Sequence, residues 1–117
     1  MRSLFVVLLL LLGGIAHAEG PDAFEARRIE YLIVSIENLQ DAEFVRNGTA
    51  YSATAAADHL RLKLKSAGSR VVTAEDFIRV CASTSSMSGT PYEIRFADGR
   101  VVTSEAFLRA RLIEFER

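Results

Sequence analysis

The chain has no tryptophan, one cysteine, two histidines and two prolines in 117 residues. A single thiol excludes an internal disulfide framework and any zinc site built on cysteine pairs. Two histidines leave little for a metal centre, and no calcium-loop spacing of acidic residues occurs, so no metal site and no cofactor is expected. No Gly-x-Ser-x-Gly segment marks a nucleophile elbow. Neither sign of charge dominates, with 14 Lys and Arg against 15 Asp and Glu, which argues against nucleic acid as a partner. The apolar run at residues 4–12 falls well short of the roughly 20 residues needed to span a bilayer.

That run instead has the layout of a cleavable export signal. Arg2 supplies a basic start, Gly13-Gly14 loosens the end of the apolar stretch, and Ala16-His17-Ala18 sets small residues where signal peptidase accepts them. Residues 1–18 are therefore expected to be removed after export, and His17 leaves with them. The only cysteine, Cys81, lies far from the cleavage point, so no lipid anchor is expected. What remains is residues 19–117, one domain with one modest core. Without tryptophan, that core must rest on Leu, Ile, Val and phenylalanine.

Periodicity organises the remainder. Ile29, Leu32, Ile33 and Ile36 mark one face of a helix over residues 23–39, with Arg27, Arg28, Glu30 and Glu37 placed off that face. Asn47-Gly48 between Phe44-Val45-Arg46 and Thr49-Ala50-Tyr51 predicts a tight hairpin, because both turn positions tolerate positive φ. Ser52 caps a second helix over residues 53–66 that ends at Gly68. Val71-Val72 reads as briefly extended, and Thr73 caps a third helix to Ala82, with Asp76 completing a capping box. Residues 83–91 form a Ser/Thr/Gly loop. Residues 92–96 and 100–102 flank Asp98-Gly99 as a second hairpin. A last helix covers residues 104–115, with Leu108, Leu112 and Phe115 inward. The fold class is α+β: about four helices and two short hairpins joined in a small antiparallel sheet.

Residues 70–79 and 100–109 share seven of ten identities, each joining an extended end to a hydroxyl cap and a helix start. Their uneven spacing excludes a solenoid. The simplest reading is reuse of one capping solution.

Four blocks in order carry a family likeness: Phe44-Val45-Arg46-Asn47-Gly48; His59-Leu60-Arg61-Leu62-Lys63-Leu64; Thr73-Ala74-Glu75-x-Phe77-Ile78; and Ala82-Ser83-x-Ser85-Ser86-x-Ser88-Gly89-x-Pro91-Tyr92. Over residues 23–115 the chain resembles the YfeK-like family, small exported proteins of Gram-negative bacteria grouped as a domain of unknown function. The resemblance implies a periplasmic location and a single domain. It implies no activity, cofactor or catalytic residue.

The residues themselves suggest where a ligand could bind. The hydroxyl-rich loop, with Ser85, Ser86, Ser88 and Tyr92, offers hydrogen bonds to a glycan, a peptide or an envelope protein. It follows a helix and so lacks the N-terminal N–H groups of an anion cradle. Arg46, Asn47, His59 and Arg61 supply a candidate surface near the first hairpin, with Lys63 and Lys65 extending a basic strip. Alternatively these bases are solubilising charges paired with Asp58 and Glu43. A non-catalytic periplasmic binding domain is the leading expectation. An envelope hydrolase would require His59 to meet a serine of residues 83–88 and a carboxylate. Cys81 shares an apolar helical face with Phe77 and Val80, which favours a buried thiol over a disulfide-linked dimer.

Overall fold

A computed structural model describes residues 20–117; the export signal read at residues 1–18 lies outside them. Helix α1 (Ala23–Glu37) leads into strands β1 (Glu43–Arg46) and β2 (Thr49–Tyr51). Helix α2 (Ala53–Ala67), a 3₁₀ turn (Gly68–Arg70) and helix α3 (Ala74–Cys81) follow. Strands β3 (Glu93–Arg95) and β4 (Val101–Thr103) then run directly into helix α4 (Ser104–Phe115). The chain is α+β, as its patterning predicts. No helix among the described residues is long and apolar enough to cross a membrane.

The hydroxyl caps fall where the sequence places them. Ser52, Thr73 and Thr103 each accept a hydrogen bond from the backbone N–H three residues on. At Thr73 the box is closed, because Asp76 in turn accepts the Thr73 N–H. The internal echo is therefore a repeated cap. Its two copies differ before the cap: Val101–Thr103 pairs as β4, whereas Val71 is extended but joins no strand.

The two hairpins form one antiparallel sheet in the order β2-β1-β3-β4. Asn47 at φ 51° and Gly48 at φ 79° make the first turn with both central residues left-handed, the geometry that matches strand twist. The second hairpin closes around three residues instead of two. The Phe96 N–H donates to the Arg100 carbonyl at 2.8 Å, with Gly99 at φ 89°. A type I turn followed by a left-handed glycine explains the extra residue.

Register aligns Tyr51, Phe44, Ile94 and Val102 in one row across all four strands. That row faces the helices, and Phe44 and Ile94 are buried with Leu32, Ile33, Ile36, Phe77, Ile78 and Leu108. Because side chains alternate with period 2, Arg46 shares the inward face with Phe44. It therefore stands at the margin of the core, beneath α2.

Helix α1 is the hub, touching α2, α3 and α4. Its stripe is wider than the apolar residues alone suggest. Arg28 was expected off the buried face, yet it is 6% exposed. It precedes Leu32 by four residues and Ile36 by eight, so the helical repeat turns it inward. Three carboxylates make this possible. The Arg28 guanidinium donates to Glu25 at 2.7 Å on its own helix, to Glu75 at 3.2 Å on α3 and to Glu116 at 2.5 Å just beyond α4. Burial alone would lower its pKa; the bonds to Glu75, Glu25 and Glu116 outweigh this and raise it. Glu25 also accepts the Ala74 N–H at 2.8 Å, so one carboxylate holds both the arginine and the start of α3.

Candidate functional site

The inward placement of Arg46 brings it against His59, which projects from α2. Arg46 Nη1 lies 3.2 Å from Nε2 and 3.4 Å from Nδ1 of His59. Its Nη2 donates to the Tyr51 hydroxyl at 3.2 Å, and the guanidinium stands 5.3 Å from the centre of that ring. One helical turn beyond His59, Lys63 donates through Nζ to the Tyr92 hydroxyl at 3.0 Å. The same hydroxyl is 3.4 Å from His59 Nε2. Three bases and two phenols thus meet where α2, the first hairpin and the start of the second hairpin converge.

All of these except Lys63 rim a cavity of about 170 Å³ between α2 and the inner face of the sheet. Ile36, Phe44, Ala56 and Leu60 form its apolar wall, and Arg46, Tyr51, His59 and Tyr92 its polar rim. Ser104, 5% exposed, lines it where β4 turns into α4. Glu93 borders it as well, but lies in the outward register of β3 and is exposed.

The electrostatics of the rim are one-sided. Neither Arg46 nor Lys63 pairs with a carboxylate among the described residues, whereas Arg28, Arg61, Arg79, Arg95, Arg100, Arg109 and Arg111 each do. Burial, followed by the charges of Arg46 and Lys63, pushes the His59 pKa below its ordinary value. The neutral imidazole is thereby favoured, with the guanidinium lying almost equally close to both ring nitrogens. The Arg46 pKa is raised, chiefly by its hydrogen bond to Tyr51, against the effect of burial.

The loop at residues 82–92 is fastened beside this rim. Asn47 donates from Nδ2 to Ser85 Oγ at 3.0 Å and accepts from Ser88 Oγ at 2.5 Å. Ser85 is 4% exposed, and its N–H donates to the Thr90 carbonyl at 2.9 Å. Lys63 Nζ also reaches the Thr84 carbonyl at 3.3 Å. The tip faces outward, with Met87 exposed. Asn47, Ser85 and Ser88 therefore tie the loop to the hairpin, and Tyr92 carries the loop's end to His59.

Two of the residues singled out from sequence lie elsewhere. Arg61, two positions after His59, turns to α1 and pairs with Glu30 at 3.0 Å and Glu37 at 3.3 Å. Ser86 lines a separate depression with Leu62, Lys63, Arg70 and Val80. The pairing once open for the basic strip also resolves differently, since Glu43 binds Arg95 at 3.2 Å and leaves Arg46 without a carboxylate. Tyr51 went unrecognised as a rim residue. Its signal was the hairpin register, which sets it opposite Phe44 on the inner face.

Among the described residues, the polar contacts of His59 run to Arg46 and Tyr92, and none runs to a serine hydroxyl or a carboxylate. No group of three or more His, Cys, Asp or Glu side chains among the described residues is placed to hold a metal ion. Cys81 is 1% exposed, and burial raises its pKa, only partly opposed by Lys63 and Arg70. A buried, protonated thiol is a poor nucleophile.

Comparison with known proteins places the chain in the same group as its sequence blocks suggest. It is 42% identical over 87 residues to the uncharacterized protein YfeK of Salmonella typhimurium, covering 74% of this chain and 70% of that relative. No solved structure matches it. The profile of DUF5329, a family of unknown function, matches residues 23–116, and the chain belongs to that family.

Proposed function

We propose that this protein is an exported, non-catalytic binding domain of the bacterial periplasm, whose ligand enters the cavity between α2 and the first hairpin. One observation carries the reading: Arg46, His59 and Tyr92, remote in sequence, converge with Tyr51 on the rim of one apolar cavity. Concave apolar sites with a few convergent polar groups are the common form of small-ligand pockets. The export reading rests on the three-part layout of residues 1–18. A hydrolase would need a nucleophile and an orienting acid on the imidazole. Here its neighbours are a guanidinium, an ammonium and a phenol, which favours holding a ligand over cleaving one.

Two experiments test the proposal. Cell fractionation with N-terminal sequencing should find the protein in the periplasm, beginning at Glu19; an uncleaved cytoplasmic chain would contradict export. Fragment screening by protein NMR should yield small molecules that shift the backbone amides of Ala55, Ala56, Leu60 and Tyr92. Hits confined to other surfaces would contradict the binding site.

A further inference from the structure

We propose that the ligand of this cavity is a small carboxylic acid with an apolar body the size of one aromatic ring, its carboxylate seated on Arg46 beside His59. The inference rests on the binding reading above and names the ligand's chemistry.

Charge supplies the first argument. Arg46 is half-buried, in contact with a second base, with Lys63 behind the Tyr92 hydroxyl and no carboxylate among the described residues bonded to any of the three. The Tyr51 hydroxyl supports the Arg46 charge but does not neutralise it, so the guanidinium is left to pair with an anion. Glu93, the acidic residue bordering the cavity, lies in the outward register and does not meet the guanidinium.

Shape supplies the second. A guanidinium offers a planar fork that matches the two oxygens of a carboxylate. The Tyr51 and Tyr92 hydroxyls stand within bonding distance of the same two bases, so the oxygens would meet further donors. Arg46 is the one formally charged base lining the cavity, since Lys63 stands outside it. That charge suits a monoanion better than a phosphate dianion.

Volume supplies the third. The roughly 170 Å³ bounded in part by Ile36, Phe44, Ala56 and Leu60 opens to solvent at the rim, and is close to the roughly 150 Å³ of an engineered apolar cavity that takes up benzene. Its inner part has room for one ring or a short branched chain. A ring against Phe44 and Leu60 with its carboxylate on Arg46 would use both the wall and the rim of the cavity.

Calorimetric titration of the purified protein with 3-phenylpropionate and with its uncharged analogue 3-phenylpropanamide tests the proposal, with amide shifts locating each. The acid should bind at least about ten-fold tighter than the amide, as a charge-assisted hydrogen bond requires. Arg46→Gln should remove most of that difference by weakening the acid more than the amide, and persisting amide-induced shifts at Ala55, Ala56 and Leu60 would show the variant's cavity intact. Leu60→Trp, filling the cavity, should remove both. Equal affinity for acid and amide would overturn the carboxylate assignment and leave the binding site standing. If neither compound shifts Ala55, Ala56 or Leu60, both readings fall. A phenylalanine-terminated tripeptide binding more than about ten-fold tighter than the free acid would overturn the small-molecule assignment in favour of a peptide C-terminus.

Discussion

Arg46 and His59, 13 residues apart in sequence, stand 3.2 Å apart between Nη1 and Nε2. Nη1 is also 3.4 Å from Nδ1, so the guanidinium lies against the face of the imidazole, and its charge opposes protonation of the ring. Arg46 and Tyr92 contact the ring, Lys63 adds its charge from one helical turn on, and no carboxylate among the described residues is bonded to it. Because burial and these charges lower the folded-state pKa of His59, protons bind the unfolded chain more readily. The stabilisation is fully present above the unfolded value of about 6.5 and is lost as pH falls through it toward the folded value. Urea unfolding at pH 7.5 and 5.5 should show the wild type losing stability on acidification. His59→Gln should lose less over that interval. Equal losses would mean that His59 is not held neutral.

Arg28 is the second charged group that the fold turns inward. Removing one partner of a buried ion pair costs about 3–5 kcal/mol. Glu75 and Glu116 are half-exposed here, and water solvates carboxylates left behind at such positions. Arg28→Met is therefore expected to cost roughly 2–3 kcal/mol by denaturant titration, below that buried-pair range. Arg28→Lys should recover only part, because one ammonium cannot replace a fork shared by three carboxylates.

Asn47 has two separable roles, a left-handed turn residue and a fastener for the loop. Asn47→Gly keeps the turn and removes the bonds to Ser85 and Ser88. It should speed proteolytic cleavage within residues 83–91 with a modest change in global stability, about 1 kcal/mol. Asn47→Ala removes the same bonds and adds left-handed strain of about 1–2 kcal/mol. If the two variants are equally stable, the turn geometry is not as described.

The contrast between these residues shows what could be read beforehand. Helices, caps and both hairpins follow from local signals: period, hydroxyl caps and Asn-Gly or Asp-Gly turns. The meeting of Arg46, His59 and Tyr92 required two further facts, that β1 pairs with β3 and that α2 crosses the inner face. Both are long-range and leave no local trace. Arg28 misled because residue type was weighed above position: a charge at a core position of the helical repeat looks like surface until its three carboxylates, on α1, α3 and beyond α4, are brought together. Arg61 misled in reverse, since its spacing beside His59 suggested a shared surface, while two residues along a helix turn a side chain by about 200°.

Cys81 gives an independent check on the core. At 1% exposure with a raised pKa, it should resist a thiol reagent such as DTNB in the native protein and react fully after unfolding. The protein taken directly from cells should migrate on a non-reducing gel as it does with reductant. Rapid native labelling, or a reductant-sensitive dimer, would mean that the α3 face opens.

The most direct test is the titration of His59 followed by NMR, with and without 3-phenylpropionate. An anion beside Arg46 favours the imidazolium, so binding should raise the His59 pKa, and affinity for the acid should rise as pH falls below about 6.5. The account expects a midpoint below 6.5 in the free protein, an upward shift with the acid and no shift with the amide. A midpoint at or above 6.5 in the free protein, or one that the acid leaves unmoved, would contradict an anion site built on Arg46 and His59.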